Sequence, residues 1–517
     1  MSADDSAATV SRPHSGAPYA RKGDSSDTPI RHRRFRLIMI APALALIALM
    51  AWAFASPMGS SPDDDFHLVS IWCGQGIRPG ICEAAPSPAE RTVPQAILAA
   101  PACFENKPKV SAACQYRSLD FAPGAMTTTE RGNFSNNYPP LYYAAMSVFV
   151  GHDILTSVLV MRLVNVLLFV GLTAALFALL PPHRRPTLLW AWLVTLVPLG
   201  LFLVASNNPS SWAITGIGSA WLALLGYFES TGWRKAALGS VFTCAALMAA
   251  GSRGDAAIYV ILSVVVVLAM TMQKARRYWI SAVLPIALCV VSLIFYTSAG
   301  QSVVAATGLN GGPADEVQHN PIAVLFSGLL NVPSIWAGIF GTWPLGWFDT
   351  VMPAIVTVGA AGCFVAVVFS GLSSRGRRKT FVIVGIGLVL WLLPTYVLLR
   401  SMNLVGTQVQ PRYLLPLIIV FAGVALLDVG RRRLAFTRLQ TTMIAVALSA
   451  SQAAALYYDM RRYVTGTSST NWNLDAGMKW WWHLPITPMA MCVVGALAFA
   501  CLVIVVVREI AKTHVLR

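Results

Sequence analysis

The sequence predicts an all-α polytopic membrane protein of about twelve transmembrane helices, and three observations predict it. Of 517 residues, 56% are hydrophobic and 12% charged, with a mean hydropathy of +0.62. No water-soluble core needs so much apolar sequence. The apolar residues fall in runs near the roughly 20 residues that cross a bilayer. The formal net charge of +16 is gathered in short turns between those runs: Arg31–Arg36, His183–Arg185, Trp233–Lys235, Lys274–Arg277, Arg375–Lys379 and Arg431–Arg433. Cytoplasmic loops carry such an excess of Lys and Arg. No basic surface with interleaved aromatics accompanies them, so nucleic acid is set aside as a partner and the bilayer is the expected one.

Taken in order, residues 1–34 are rich in Ser, Ala, Asp and Pro without apolar periodicity and are expected to form a disordered cytoplasmic tail. Residues 35–56 form the first span, read as an uncleaved signal anchor because further spans follow. Residues 57–150 are an extracytoplasmic loop too long for a plain connector, hence a small folded element. Its end, Pro140–Val150, is expected to be a short interfacial helix, since Tyr suits that depth. Residues 151–297 hold helices 2–7, including single runs at about 187–205 and 236–252. A second extracytoplasmic loop, 298–350, contains Pro321–Phe340, read as amphipathic or re-entrant. Residues 351–507 hold helices 8–12, and 508–517 form a cytoplasmic tail. In this arrangement every basic turn lands on one side, both termini are cytoplasmic and the membrane is the cytoplasmic one. All the elaborated sequence then faces outward, where binding or catalytic work belongs.

The four cysteines of the first loop, Cys73, Cys82, Cys103 and Cys114, suggest two disulfides in an oxidising compartment. Three pairings exist, and pairing of neighbours is favoured. A zinc site is the rival, but no C-x-x-C spacing supports it.

The densest chemistry is Ser60-Ser-Pro-Asp-Asp-Asp-Phe-His67, directly after the first span. A helix opened by Pro62 sets Asp63 and Asp64 four and three residues before His67, on one face. That offers a base, a second anion and a proton-carrying or phosphate-facing group. The plain alternative is a helix start whose acids are favoured by the first-turn amides. Arg162 lies inside an apolar run, where an arginine is costly unless it pairs or snorkels. Arg253 shares a tight turn with Asp255, as a local ion pair or as a ligand contact. Arg412 opens a span and could meet a lipid phosphate with a fork of donors, or anchor the interface. Gly338–Pro353, with Trp347 and Asp349, mixes Gly, Trp and Pro; its rings suit sugar faces as well as an interfacial belt. No Gly-rich nucleotide loop, H-E-x-x-H or G-x-S-x-G is present.

Together, Ser61–His67, the four-cysteine loop, Tyr138-Pro-Pro-Leu-Tyr-Tyr143, Gly341–Pro353 and Gln410-Pro-Arg-Tyr-Leu-Leu-Pro416 resemble the bacterial membrane-protein family of domain of unknown function 2142. Two departures stand out: Asp63-Asp64 replaces the family's Asp-Glu, and Pro411-Arg412-Tyr413 replaces its Gly-Arg-Tyr. That family is similar in layout to the GT-C glycosyltransferases. The resemblance implies a GT-C-like fold, a polyprenyl-phosphate-linked sugar donor and a cell-envelope glycan or lipid acceptor. It makes Asp63 or Asp64 the base and gives His67 an orienting or phosphate-contacting role. Arg412, with Arg162 or Arg253, would receive the departing phosphate, alongside Tyr138, Tyr413, Trp347 and Asp349. Asp63 and Asp64 are also the candidate ligands for a divalent cation, Mg or Mn. The rival reading is a transporter or flippase of a lipid-linked or small solute. Such a protein should carry paired halves with polar breaks at mid-membrane depth, and the polar groups here gather at one face instead.

Overall fold

The computed structural model describes residues 37–120, 124–303, 320–373, 376–406, 408–427, 436–477, 479–482 and 485–512. The expected N-terminal tail and the basic clusters at Arg31–Arg36 and Arg431–Arg433 lie outside them. The chain divides into two units, Met1–Ile40 and Ala41–Arg517. The described part of the first is a short turn in which Ile40 N donates to Leu37 O.

Eighteen helices are described: α1 (Ala41–Ala55), α2 (Asp64–Trp72), α3 (Gln95–Ala102), α4 (Gln115–Asp120), α5 (Leu141–Met146), α6 (Ile154–Leu179), α7 (Arg185–Thr195), α8 (Leu199–Val204) and α9 (Ser210–Glu229), followed by α10 (Gly232–Ala250), α11 (Gly254–Thr271), α12 (Arg276–Ser298), α13 (Pro321–Ala337), α14 (Ala354–Gly371), α15 (Arg377–Ser401), α16 (Pro411–Ala425), α17 (Arg438–Val464) and α18 (Pro488–Lys512). Among the described residues, nine are long and apolar enough to cross a membrane: α6, α9, α11, α12, α13 with its following turn, α14, α15, α17 and α18. Two shorter apolar helices, α1 and α16, accompany them. Leu330, Phe369 and Phe381 are each about three-quarters exposed on these helices, as lipid-facing side chains should be.

Three segments differ from the sequence reading. The run at 187–205 is not one helix but α7 and α8, broken at Leu196–Pro198, because Pro198 has no N–H to continue the ladder. Helix α10 carries Arg234 and Lys235 in its first turn, and it is not among the nine. Pro321–Phe340 forms α13 and a π turn, Gly338–Thr342. Helix α13 lies along α15: Trp336 Nε1 donates to Leu390 O at 3.1 Å and Trp391 Nε1 to Leu329 O at 2.8 Å.

Helix α9 runs through the centre, buried at every position from Ser210 to Gly226. A helix apolar on all sides can be stable only with neighbours all round. Close approach makes this workable: a side chain at Gly218 would collide with Trp192 and one at Gly423 with Trp221. The described basic turns share one end of the bundle. There Arg184 forks onto Glu229 at 2.5 and 3.0 Å and donates to Leu427 O, while Arg378 donates to Met272 O.

At the other end stands the folded segment after α1. Its bridges are Cys73–Cys82 and Cys103–Cys114, with Cα separations of 5.3 and 6.1 Å. The all-α expectation missed a small antiparallel sheet, β1 (Glu83–Ala84), β2 (Arg91–Pro94) and β3 (Met126–Thr129), in which Thr92 faces Thr128. A separate apolar core of Leu68, Ile71, Trp72, Val93, Tyr142 and Trp212 docks this segment on the bundle. Helix α5 appears where a short helix was expected, but Tyr142 and Tyr143 are buried in that core; Val148 and Phe149 just beyond it are exposed.

Arg162 holds the junction between α1 and this segment. It is 1% exposed and donates to Ala53 O at 2.9 Å, Ser56 O at 2.6 Å and Pro57 O at 2.7 Å. Ala53 lies in the last turn of α1, where carbonyls have no partner within the helix, and Ser56 and Pro57 are the first residues beyond it. Its expected role on a substrate phosphate is therefore replaced by closing a helix end. Arg162→Gln is expected to cost on the order of 3 kcal/mol, the scale of losing hydrogen bonds from a charged donor. Thermal unfolding in detergent reads it; an unchanged midpoint would contradict the capping role.

Candidate functional site

The site begins where the chain leaves α1 and turns over Gly59, Ser60, Ser61 and Pro62. Gly59 has φ +80°, and a side chain there would strike Pro101. Trp347 Nε1 holds the Gly59 carbonyl at 2.9 Å. The Pro62 carbonyl receives two donors, Asn208 Nδ2 at 2.8 Å and Arg412 Nη1 at 3.1 Å. This segment is thereby tied to α16 and to the turn before α9.

Helix α2 does not open at Pro62 as expected. Asp63 precedes it in the left-handed region, φ +59°, with no capping bond from its side chain. That conformation is uncommon outside glycine but is tolerated by Asp. It swings the three acids apart. Asp63 Oδ2 meets Arg412 Nη2 at 2.5 Å, and its Oδ1 lies 3.5 Å from Arg131 Nη2. Asp64 is fully buried and accepts from Ser61 N at 3.1 Å and from the Ser61 hydroxyl. Asp65 takes the Arg131 fork at 2.6 and 3.2 Å.

Around them lies a box of rings. His67 is buried, with Nδ1 2.9 Å from the Tyr143 hydroxyl and Nε2 buried without a hydrogen-bond partner. The Tyr138 and Phe66 rings pack edge-on to it. Arg253 forks onto Asp255 at 2.9 and 3.1 Å and stacks over Tyr413 at 4.6 Å and Tyr138 at 5.6 Å. Arg412 lies over the same Tyr413 ring at 5.2 Å. Two buried guanidiniums therefore share one tyrosine, and each keeps an unpartnered N–H, Arg253 Nη1 and Arg412 Nε.

This geometry separates the acids electrostatically. Burial would raise the Asp63 carboxyl, but the Arg412 guanidinium, with help from Arg131, holds it at about 2. Burial pushes Asp64 up to about 6, only partly offset by Ser61 and Arg162. Burial likewise holds the His67 imidazole well below its ordinary value, outweighing the pull of Asp63, so the ring is neutral at pH 7. The Tyr138 and Tyr143 hydroxyls are raised by burial and stay protonated.

The structure thus gathers Asp63, His67, Arg253, Arg412, Tyr138 and Tyr413. Asp64 is adjacent but turned inward. Asp349 is not part of the group: it pairs with Arg462 Nη2 at 2.6 Å, and Arg462 also donates to Phe104 O and Val110 O. Trp347, as above, braces the backbone through Gly59. Sequence reasoning missed Arg131, Asn208 and Arg462. Arg131 stands apart from the basic clusters, Arg462 follows Arg461 and Asn208 lies in the short polar stretch Ser206–Pro209; none of the three carries a motif. The acids do not fit a divalent cation: Asp63 faces two guanidiniums and both Asp64 oxygens face Ser61. Among the described residues no group of three or more His, Cys, Asp or Glu could hold a metal.

The Asp64 environment makes a prediction with a definite sign. Its carboxyl titrates at about 6 in the fold against 3.8 ordinarily. Between those values the native chain binds the extra proton, so this group's contribution to stability falls as pH rises from about 4 to about 6. Asp64→Asn removes that dependence. Relative to wild type, its unfolding midpoint is expected to rise across this window and then level off; a constant difference would contradict the assignment.

Residues 46–421 match the model of the family described as "Predicted membrane protein (DUF2142)". No curated protein and no solved structure matches the chain. The matched span is well over half of the chain and takes in the acidic stretch, both disulfides, Arg253 and Arg412. The chain belongs to this family and is a multi-pass membrane protein.

Proposed function

We propose that this protein is an inverting membrane glycosyltransferase of GT-C-like architecture with about twelve spans. Its donor is a sugar linked to polyprenyl phosphate, and its acceptor is a cell-envelope glycan or lipid. It works at the extracytoplasmic face of the cytoplasmic membrane, with both termini in the cytoplasm. The observation that carries this reading is the contact of Asp63 with Arg412, a carboxylate and a guanidinium brought together across 349 residues. It lies at the disulfide-bearing end of the bundle, away from the basic turns, which fits the positive-inside rule.

In this reading Asp63 is the base, because its carboxylate is part-exposed while Asp64 is buried on Ser61. Asp63 takes the proton of the acceptor hydroxyl. The acceptor oxygen forms a bond to the anomeric carbon as the carbon–oxygen bond to phosphate breaks, and the lipid phosphate leaves with that electron pair. Arg412 and Arg253 stabilise the departing charge, Arg253 with the unpartnered Nη1 and Arg412 with the unpartnered Nε. Tyr138 and Tyr413 keep the two guanidiniums stacked, and the neutral His67 fixes the ring box through Tyr143.

One feature of the resting site argues for an ordered mechanism. A carboxylate held at about 2 is a poor base at neutral pH. Donor phosphate competes for Arg412 and so releases Asp63 to accept the proton. Binding of the donor thereby arms the base.

The test is sugar transfer in membranes supplied with labelled polyprenyl-phosphate sugar. Asp63→Asn is expected to lose about a hundredfold or more, the usual contribution of a general base. Asp64→Asn is expected to retain transfer. Wild-type rates in Asp63→Asn would remove the base assignment. Vesicles in which the protein moves the lipid-linked sugar across the bilayer without transferring it would favour a transporter or flippase instead.

A further inference from the structure

Two hollows meet at Trp343, Pro344 and Phe348, and the inner one reaches Arg412. The inner one is a slot of about 20 Å³, lined by Pro62, Leu199, Phe202, Gly338, Pro411 and Arg412 together with the Trp343–Phe348 turn. The outer one is about 370 Å³, lined by Ser334 and Thr342 on one side and Val405 and Gly406 on the other. Trp343, Pro344 and Phe348 line both and form the partition between them. The inner slot holds little more than one water; the outer one is in the size range of ligand pockets.

The partition is an unusual piece of chain. Leu345 and Thr350 bridge to each other through backbone bonds at 3.0 and 3.3 Å, so the turn between them is closed. At its tip Phe348 has φ +59° and is 42% exposed, with its ring edge-on to Trp343 at 6.2 Å. A bulky residue in the left-handed region is an outlier. The slot behind it ends on polar atoms with nothing to bond: Arg412 is 3% exposed with Nε unpartnered, and Gln410 Oε1 is buried and unpartnered. From Ser334 at the outer hollow, α13 continues with Leu330, Phe326 and Ile322, all more than half exposed.

We propose that the Trp343–Phe348 turn is the doorway of a lipid-phosphate subsite, with the apolar tail lying in the outer hollow against Phe348 and the phosphate reaching Arg412 through the slot. The proposal rests on the reading that a donor phosphate meets Arg412, and it adds which residues take the tail. An apolar chain in the outer hollow and an anion at its inner end match the two kinds of wall present. The slot is nearly shut, so Phe348 must swing aside for the phosphate to pass.

The probe is polyprenyl phosphate without a sugar, in vesicles, with a photo-crosslinking amino acid at position 348. A control carries it at Val358, which faces the exposed groove between α14 and α17. Cross-linking is expected at 348, much less at 358, to be outcompeted by unlabelled polyprenyl phosphate, and to survive inorganic phosphate or the polyprenol with the same tail. Phe348→Ala is expected to weaken long polyprenyl phosphate roughly tenfold, the worth of one buried aromatic contact, and to leave geranyl phosphate unchanged. Equal labelling at both positions, or equal competition by polyprenol, would reduce Phe348 to an ordinary interface anchor. Binding that depends on Arg412 without labelling at 348 would overturn the doorway and leave the phosphate reading standing. Absence of any lipid-phosphate binding would overturn both.

Discussion

The contact of Asp63 with Arg412 is the constraint on which the rest of the site depends. Arg412 donates at once to the Asp63 carboxylate and to the Pro62 carbonyl, so one buried guanidinium fixes both the backbone and the side chain of the acidic stretch. Asn208 reinforces it from the turn before α9. Because Asp63 is left-handed, its neighbour Asp64 is turned into the protein and Asp65 out to Arg131. Three adjacent acids thereby acquire different settings, Asp63 on Arg412, Asp64 on Ser61 and Asp65 on Arg131, with Arg131 also 3.5 Å from Asp63.

A buried guanidinium is costly unless its donors are met. Arg162 and Arg462 solve this with backbone carbonyls, Arg462 adding Asp349. Each still leaves its Nε buried without a partner, as Arg412 does at Nε and Arg253 at Nη1. What divides the four arginines is their setting. Arg162 and Arg462 hold the disulfide-bearing segment on the bundle through its backbone carbonyls. Arg253 and Arg412 pair with Asp255 and Asp63 and stack on the same Tyr413 ring.

Much of this was legible in the sequence, for identifiable reasons. Apolar runs and basic turns mark helices whatever they pack against, and four cysteines in one polar loop mark disulfides. The pairing of neighbours is what the structure contains. Asp63, His67, Arg253 and Arg412 could be named because charged groups at the edge of apolar runs are conspicuous. What escaped notice depends on tertiary partners. Arg162 read as a ligand contact because an intramembrane arginine suggests function by default, whereas carbonyl acceptors at the end of α1 leave no trace in sequence. Asp349 looked available until Arg462, 113 residues away, took it. The break at Pro198 was visible in the run, but apolar length outweighed it. The short sheet has strands of two to four residues, too brief for alternation to register.

The central claim is that Arg412 is shared, held by Asp63 at rest and claimed by phosphate when a lipid ligand arrives. Equilibrium binding of sugar-free polyprenyl phosphate to purified Asp63→Asn tests this most directly. With the competing carboxylate removed, the account predicts tighter binding than wild type, even though transfer is lost. Unchanged or weaker binding in that variant would contradict it.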